Sequence, residues 1–90
     1  MEKNPMTIRI LYFSWIREKI GTGEEHMELP ANVKTIADLI KWLRKLSPIY
    51  DEAFSELVQI RAAIDQKHVS FDVQIGSARE IAFFPPVTGG

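Results

Sequence analysis

The chain has no cysteine among its 90 residues. Disulfides, thiolate metal sites and cysteine nucleophiles are therefore excluded, and any sulfur chemistry must use a group other than a protein thiol. The sequence also lacks an apolar signal-peptide region near its start and any run of about 18 apolar residues that could span a membrane. We therefore expect a cytoplasmic protein with no membrane partner.

An excess of charge of one sign is lacking as well. The 11 Lys and Arg residues are balanced by 12 Asp and Glu residues, which gives a formal net charge of -1. Because no net basic field exists to attract phosphates, the sequence predicts no nucleic-acid partner. His26 and His68 are isolated, without the acid–histidine spacing of metal sites, so we expect both to be surface or turn residues. We predict no metal and no bound cofactor.

Length and composition indicate one folded domain with a small core. Ninety residues are enough for a single core, and 46% apolar with 26% charged residues is ordinary for a globular chain. Hydrophobic alternation predicts strands over residues 7–13, 24–29, 59–65, 69–71 and 80–84. We expect Ser14 to cap a short helix through Lys19, and Gly21 and Gly23 to end it.

The clearest helix begins after Thr35, a good N-cap, with Asp38 placed for a capping-box contact. Its buried stripe follows the i, i+3, i+4, i+7 pattern and consists of Ile36, Leu39, Ile40, Leu43 and Leu46. Trp42 lies at the edge of the stripe. Ser47-Pro48 ends the helix, and about one further helical turn is predicted before residue 57.

These elements predict an α+β fold in which one main helix covers one face of a mixed sheet of about four to five strands. An initial hairpin, a crossover helix and a final strand beside the first strand form the β-grasp arrangement, which is ubiquitin-like. The last strand would be central and parallel to the first. Its alternation puts Ile81 and Phe83 on one face and Ala82 and Phe84 on the other. One of the two phenylalanines would then lie on the uncovered face.

The sequence ends in Phe84-Pro85-Pro86-Val87-Thr88-Gly89-Gly90. Pro85 and Pro86 stop a strand and continue the chain in an extended, stiff form. Two glycines leave a backbone carboxylate with no side chains around it, which suits a narrow channel. We therefore divide the chain into a β-grasp domain, residues 1–84, and an extended tail, residues 85–90, and expect its chemistry on the α-carboxyl of Gly90.

Three stretches carry a resemblance to a known family: residues 7–13 (TIRILYF), residues 17–21 (REKIG) and, above all, residues 82–90 (AFFPPVTGG). They resemble the MoaD family, the small sulfur-carrier subunits of molybdopterin synthase. Residues 35–39 and 61–65 also match the places where that family begins its helix and its third strand. The resemblance covers nearly the whole chain.

The resemblance implies a carrier that is not an enzyme on its own. An E1-like activating enzyme would use ATP to adenylate Gly90, and the acyl-adenylate would then be converted to a thiocarboxylate. The tail would enter the large synthase subunit, in a 2:2 heterotetramer, and give its sulfur to cyclic pyranopterin monophosphate in molybdenum cofactor biosynthesis. Gly89 would provide clearance in the channel, and the preceding tail residues would set reach and direction: Pro85, Pro86, Val87 and Thr88.

The contact with partners is expected at Phe84, for which burial in the core is the alternative. Arg17 and Arg61 are either partner contacts or solvated surface charges. Other functions also suit a Gly-Gly end: sulfur transfer for thiamine synthesis or tRNA thiolation, and conjugation to lysines as a ubiquitin-like modifier. A simple interaction domain with an incidental tail is a further alternative.

Overall fold

The computed structural model describes residues 7–86, which form a five-stranded mixed sheet with three helices. The strands are β1 (Thr7–Tyr12), β2 (Glu24–Glu28), β3 (Arg61–Ile64), β4 (Lys67–Val69) and β5 (Glu80–Phe84). The helices are α1 (Ser14–Ile20), α2 (Ile36–Leu46) and α3 (Pro48–Ala53), followed by a 3₁₀ turn at Leu57–Gln59. Residues from all three helices join the core cluster, so the helices cover one face of the sheet. The predicted α+β, β-grasp fold class is confirmed.

The strand order is β2-β1-β5-β3-β4. β5 lies at the centre, parallel to β1 and antiparallel to β3, while β2 and β4 form antiparallel edges. This is the predicted insertion of the last strand beside the first. The connection between the parallel strands contains α2 and α3, as a parallel crossover requires.

The main helix starts with the predicted capping box. The Thr35 hydroxyl accepts the Asp38 N–H at 3.1 Å, and the Asp38 carboxylate accepts the N–H groups of Lys34 and Thr35 at 3.1 and 3.2 Å. These backbone hydrogen bonds hold the pKa of Asp38 below its ordinary value. The predicted stripe is buried except for its last member, Leu46, which is 47% exposed because α2 ends at that residue.

The predicted Ser14 cap is wrong. Phe13 occupies the N-cap position of α1, and no side chain caps the helix. Instead, the N–H groups of Ile16 and Arg17 donate to the Phe13 carbonyl. Ser14 is the first residue of the helix and has a left-handed φ of 57°.

The hairpin of β3 and β4 differs from the prediction in its boundaries. Asp65 and Gln66 both have positive φ, 48° and 74°, and form a two-residue turn that matches strand twist. The return strand therefore begins at Lys67 instead of Val69 and ends at Val69 instead of residue 71. β3 begins at Arg61 because the two residues before Ile60 belong to the 3₁₀ turn.

The division into residues 1–84 and 85–90 stays a prediction. The described part of the chain ends at Pro86, and the predicted site residues Val87, Thr88, Gly89 and Gly90 lie outside it.

Phe83 fills the centre of the core. Its side chain is fully buried. The centroid of its ring lies 5.0 Å from that of Phe54, which ends α3, in an edge-on contact, and 6.4 Å from that of Tyr12 of β1 in a stacked contact. Ile81 is also fully buried on the same face of β5. The neighbouring Phe84 is only half-buried and points to the other face. The two phenylalanines are thus assigned to opposite sides of one strand.

We expect Phe83→Ala to lower the free energy of unfolding by about 3–5 kcal/mol, because it removes a buried ring and leaves a cavity. Phe84→Ala, the matched control on the open face, should cost about 1 kcal/mol. Urea denaturation followed by circular dichroism measures both. Phe83→Leu serves where the alanine variant does not fold. Equal losses at the two positions would contradict the assignment of faces.

Candidate functional site: the strand exit and the open sheet face

The candidate site lies where β5 leaves the sheet. β5 is parallel to β1 and antiparallel to β3, so the end of β5, the end of β1 and the start of β3 share one edge. The pairing continues one step beyond β1, because the Phe13 N–H donates to the Phe83 carbonyl at 3.1 Å. Pro85 and Pro86 follow Phe84 directly and have no N–H to extend the ladder. The chain therefore leaves the sheet from a strand held on both sides.

A second set of contacts braces this exit from the helix side. The Glu25 carboxylate of β2 accepts a hydrogen bond from the Tyr12 hydroxyl at 2.9 Å and from the Tyr50 hydroxyl at 2.7 Å. Burial, followed by these hydrogen bonds to an anion, raises the pKa of both phenols. Because Tyr12 also stacks on Phe83, this trio ties α3, β1 and β2 to the exit strand.

The open face of the sheet carries an apolar patch next to the exit. Its members are Phe13, Leu11, Ala82, Ala63, Phe84 and, at the edge strand, His68; we call them the tail-side patch. Ala82 pairs with both Leu11 and Ala63, and Ala63 pairs with His68, so these four residues form one row across the sheet. Ala63 and Ala82 are buried but stand outside the main core cluster. Phe13 is 47% exposed.

Two aromatic side chains of the patch touch. The His68 ring lies 5.0 Å from the Phe84 ring, tilted by 49°. Phe84 is half-buried, whereas His68 is exposed on β4. The predicted surface position of His68 is confirmed, and the ring contact is an addition to it.

The other end of the open face is charged. Arg9 of β1 donates to Glu80 at 2.7 Å and lies 3.7 Å from Glu24, which in turn is 3.5 Å from the His26 imidazole. The hydrogen bond to Glu80 is the main reason that the pKa of Arg9 is raised. We call these four residues the charged cluster. The open face is thus mainly apolar near the exit, where Arg61 pairs with Phe84, and charged away from it, where Glu24 pairs with Leu11.

The two arginines singled out from the sequence differ in their surroundings. The Arg61 guanidinium donates to the carbonyls of Val58 and Ile60, both at 3.1 Å, and so holds the 3₁₀ turn against β3. The Arg17 side chain lies over Gly23, where an added Cβ would approach its Nε to 3.2 Å. Arg61 therefore has a structural role, and the glycine leaves space for Arg17.

The sequence predicted that one of Phe83 and Phe84 lies on the uncovered face, with Phe84 the candidate and core burial its alternative; the structure places Phe84 there, and most of the patch around it was not predicted. Leu11 and Phe13 are in a stretch that is apolar on both faces, which was the available signal. No sequence pattern indicates the hydrogen bonds of Glu25 with Tyr12 and Tyr50, because these residues are far apart in the chain. That Phe84 contacts a partner stays a prediction, as do the roles of Pro85 and Pro86.

Residues 7–86 contain neither a metal-binding cluster nor a membrane-spanning helix. No three His, Asp or Glu residues in this range are placed to hold a metal ion together. None of its helices combines the length and apolar character needed to cross a membrane.

Two known proteins are similar to this chain in sequence over most of its length. The chain is 36% identical over 83 residues to the molybdopterin synthase sulfur carrier subunit of Escherichia coli (strain K12), covering 92% of this chain and 99% of that protein. It is 38% identical over 84 residues to the protein of the same name from Dictyostelium discoideum, covering 91% and 94%.

Solved structures extend the comparison. A candidate molybdopterin converting factor, subunit 1, from Pyrococcus furiosus matches with a TM-score of 0.71 and 26% identity over 91% of this chain and 99% of that one. Small archaeal modifier protein 1 of Haloferax volcanii matches with a TM-score of 0.71 over 90% and 98%, and at 19% identity it shows the fold alone. The model of the ThiS family matches residues 10–90. The chain belongs to the ThiS family.

Proposed function

We propose that the chain is the sulfur-carrier subunit of a molybdopterin synthase, with sulfur carried on the α-carboxyl of Gly90. The observation that carries this proposal is the similarity, over more than nine-tenths of the chain, to two proteins named as that subunit. The braced strand exit supports it, because a donor tail must be firm at its base to deliver its end into another protein's site. By itself the chain is a substrate-like subunit and catalyses nothing.

The chemistry begins with activation of a poor electrophile. A Gly90 carboxylate oxygen attacks the α-phosphate of ATP on an E1-like enzyme, which forms an acyl-adenylate and releases pyrophosphate. A sulfur nucleophile then displaces AMP and leaves a thiocarboxylate. The absence of cysteine from the chain agrees with a carrier whose sulfur is on the main chain. ATP is used by the activating partner, and no cofactor is bound by the carrier.

The second half-reaction takes place in the large synthase subunit. The thiocarboxylate sulfur forms a C–S bond to cyclic pyranopterin monophosphate as an oxygen substituent leaves that carbon. Water then cleaves the acyl C–S bond, so the sulfur stays on the pterin and Gly90 becomes a carboxylate again. Gly89 gives clearance in the channel, and Pro85 to Thr88 set the reach of the tail. Negative charge that develops on the oxygen of the Gly90 acyl group is stabilised by groups of the partner, since the described side chains of the carrier belong to the folded domain.

The tail-side patch is the proposed docking surface for the large subunit. The patch is continuous with the strand exit, so a protein that receives the tail must also approach Phe84 and Phe13. Its mixture of aromatic and small apolar residues is typical of the central part of protein interfaces. We also propose that carrier and large subunit form a 2:2 assembly, and that the E1-like enzyme contacts the same surface. The proposed location is the cytoplasm.

Reconstitution tests the reaction. Carrier bearing a Gly90 thiocarboxylate, mixed with a cognate large subunit and the cyclic pterin precursor, should yield molybdopterin and carrier with an ordinary carboxylate. A Gly89→Ala carrier should fold normally, by circular dichroism, yet yield little product, because its added methyl group blocks a narrow channel. Sulfur transfer to a thiazole precursor or to tRNA, without any molybdopterin, would contradict the proposal in favour of another thiolation pathway.

Docking is tested separately from chemistry. We expect Phe84→Asp to weaken binding of the large subunit about 30-fold, since loss of a central aromatic contact costs about 2 kcal/mol or more. Ile49→Asp is the matched control: Ile49 is 52% exposed but belongs to α3 on the helix side. Isothermal titration calorimetry gives both affinities, and thermal melting confirms that both variants are folded. Equal affinities for the two variants would reject the tail-side patch as the docking surface.

A further inference from the structure

The two histidines of the chain occupy opposite ends of the open face. His26 is in the charged cluster, 3.5 Å from the Glu24 carboxylate. His68 is in the tail-side patch, with its ring 5.0 Å from that of Phe84. Histidine is the side chain whose charge commonly changes between about pH 5 and 8. The apolar half of the face therefore contains an ionisable group in contact with its central aromatic residue.

The sheet register fixes His68 within the patch. His68 pairs with Ala63, which pairs with Ala82, which pairs with Leu11. A partner that covers this row and Phe84 would also remove water from the imidazole at its end. The adjoining residues of the row are apolar, so they offer the ring no side-chain acceptor.

Charged groups around His68 come from three elements. On β3, Arg61 and Asp65 lie two residues before and after Ala63, the residue that pairs with His68. The Arg61 guanidinium donates to the carbonyls of Val58 and Ile60. The Asp65 carboxylate accepts the N–H groups of Arg79 and Glu80. After β4, Asp72 accepts a hydrogen bond from the Ser70 hydroxyl. On β4 itself, Lys67 alternates to the other face, and β5 offers Phe84. Both neighbouring carboxylates thus accept hydrogen bonds from groups other than His68.

We propose that docking of the large subunit on the tail-side patch requires neutral His68, so that binding releases a proton and weakens as the pH falls. This inference rests on the proposed function for its partner, but not on the sulfur chemistry. It adds a proton-linked step to the docking of the carrier.

The sign follows from desolvation. Burying an imidazolium under an apolar surface without an anionic partner is costly, whereas a neutral ring is accommodated much as an apolar side chain. A protonated ring also gains some attraction from the face of Phe84. That gain is available in the free carrier as well, so it does not favour the complex. Protonation therefore stabilises the free carrier relative to the docked one.

The test is affinity as a function of pH. Because docking favours the neutral ring, we expect wild-type affinity to fall severalfold or more as the pH is lowered from 8 to 5.5. His68→Leu and His68→Gln should lose this dependence, each keeping only what the large subunit's own groups contribute. His26→Gln, the matched control in the charged cluster, should keep the wild-type dependence.

Calorimetry in buffers of different ionisation enthalpy measures how many protons are released when the carrier docks. Wild-type carrier should release up to about one proton more per docking event near pH 6 than the two His68 variants do. Equal pH profiles for wild type and both His68 variants would overturn the inference while leaving the proposed function intact. Tighter wild-type binding at low pH would overturn it too, because it would mean that the partner supplies an anion to His68. No complex at any pH would instead count against the proposed docking partner itself.

Discussion

At the centre of the sheet β5 pairs in parallel with β1, and this pairing determines where the chain leaves the sheet. It places the exit of the last strand beside the end of the first, and β3 holds the exit from the other side. The Phe13 N–H extends this pairing by one hydrogen bond past β1. A tail that starts from an edge strand would have only one side held, and its direction would be less well fixed.

Successive side chains of β5 point to opposite faces of the sheet, and the two faces have different roles. Phe83 is closed in by Phe54 and Tyr12, and Tyr12 is in turn fixed through Glu25. Phe84, one residue further, faces the open side with the tail-side patch. Because adjacent residues of a strand point to opposite faces, core stability and partner contact are adjusted independently at neighbouring positions. This separation explains how a small domain exposes aromatic residues without weakening its core.

Contacts between residues close together in the sequence could be predicted, whereas contacts between residues far apart in the sequence could not. The capping box at Thr35 and the stripe of α2 depend on residues a few positions apart, and both were predicted, apart from Leu46 at the helix end. Ser14 was misassigned because a serine before a helical pattern is compatible with a cap whether or not its hydroxyl is used. The Glu25 contacts and the His68–Phe84 pair were not predictable, since they require the sheet register and the true two-residue turn before β4. The roles of the residues beyond Pro86 remain predictions from the sequence.

We propose that the domain presents the carboxyl of Gly90 as a sulfur donor. The most direct measurement is the intact mass of the carrier purified from cells that have the activating pathway, with fragmentation to place any change. We expect a species about 16 Da heavier, the difference between sulfur and oxygen, with the added mass located at the terminal glycine. Isopeptide-linked products through Gly90, with no heavier free carrier, would contradict it and indicate a protein modifier.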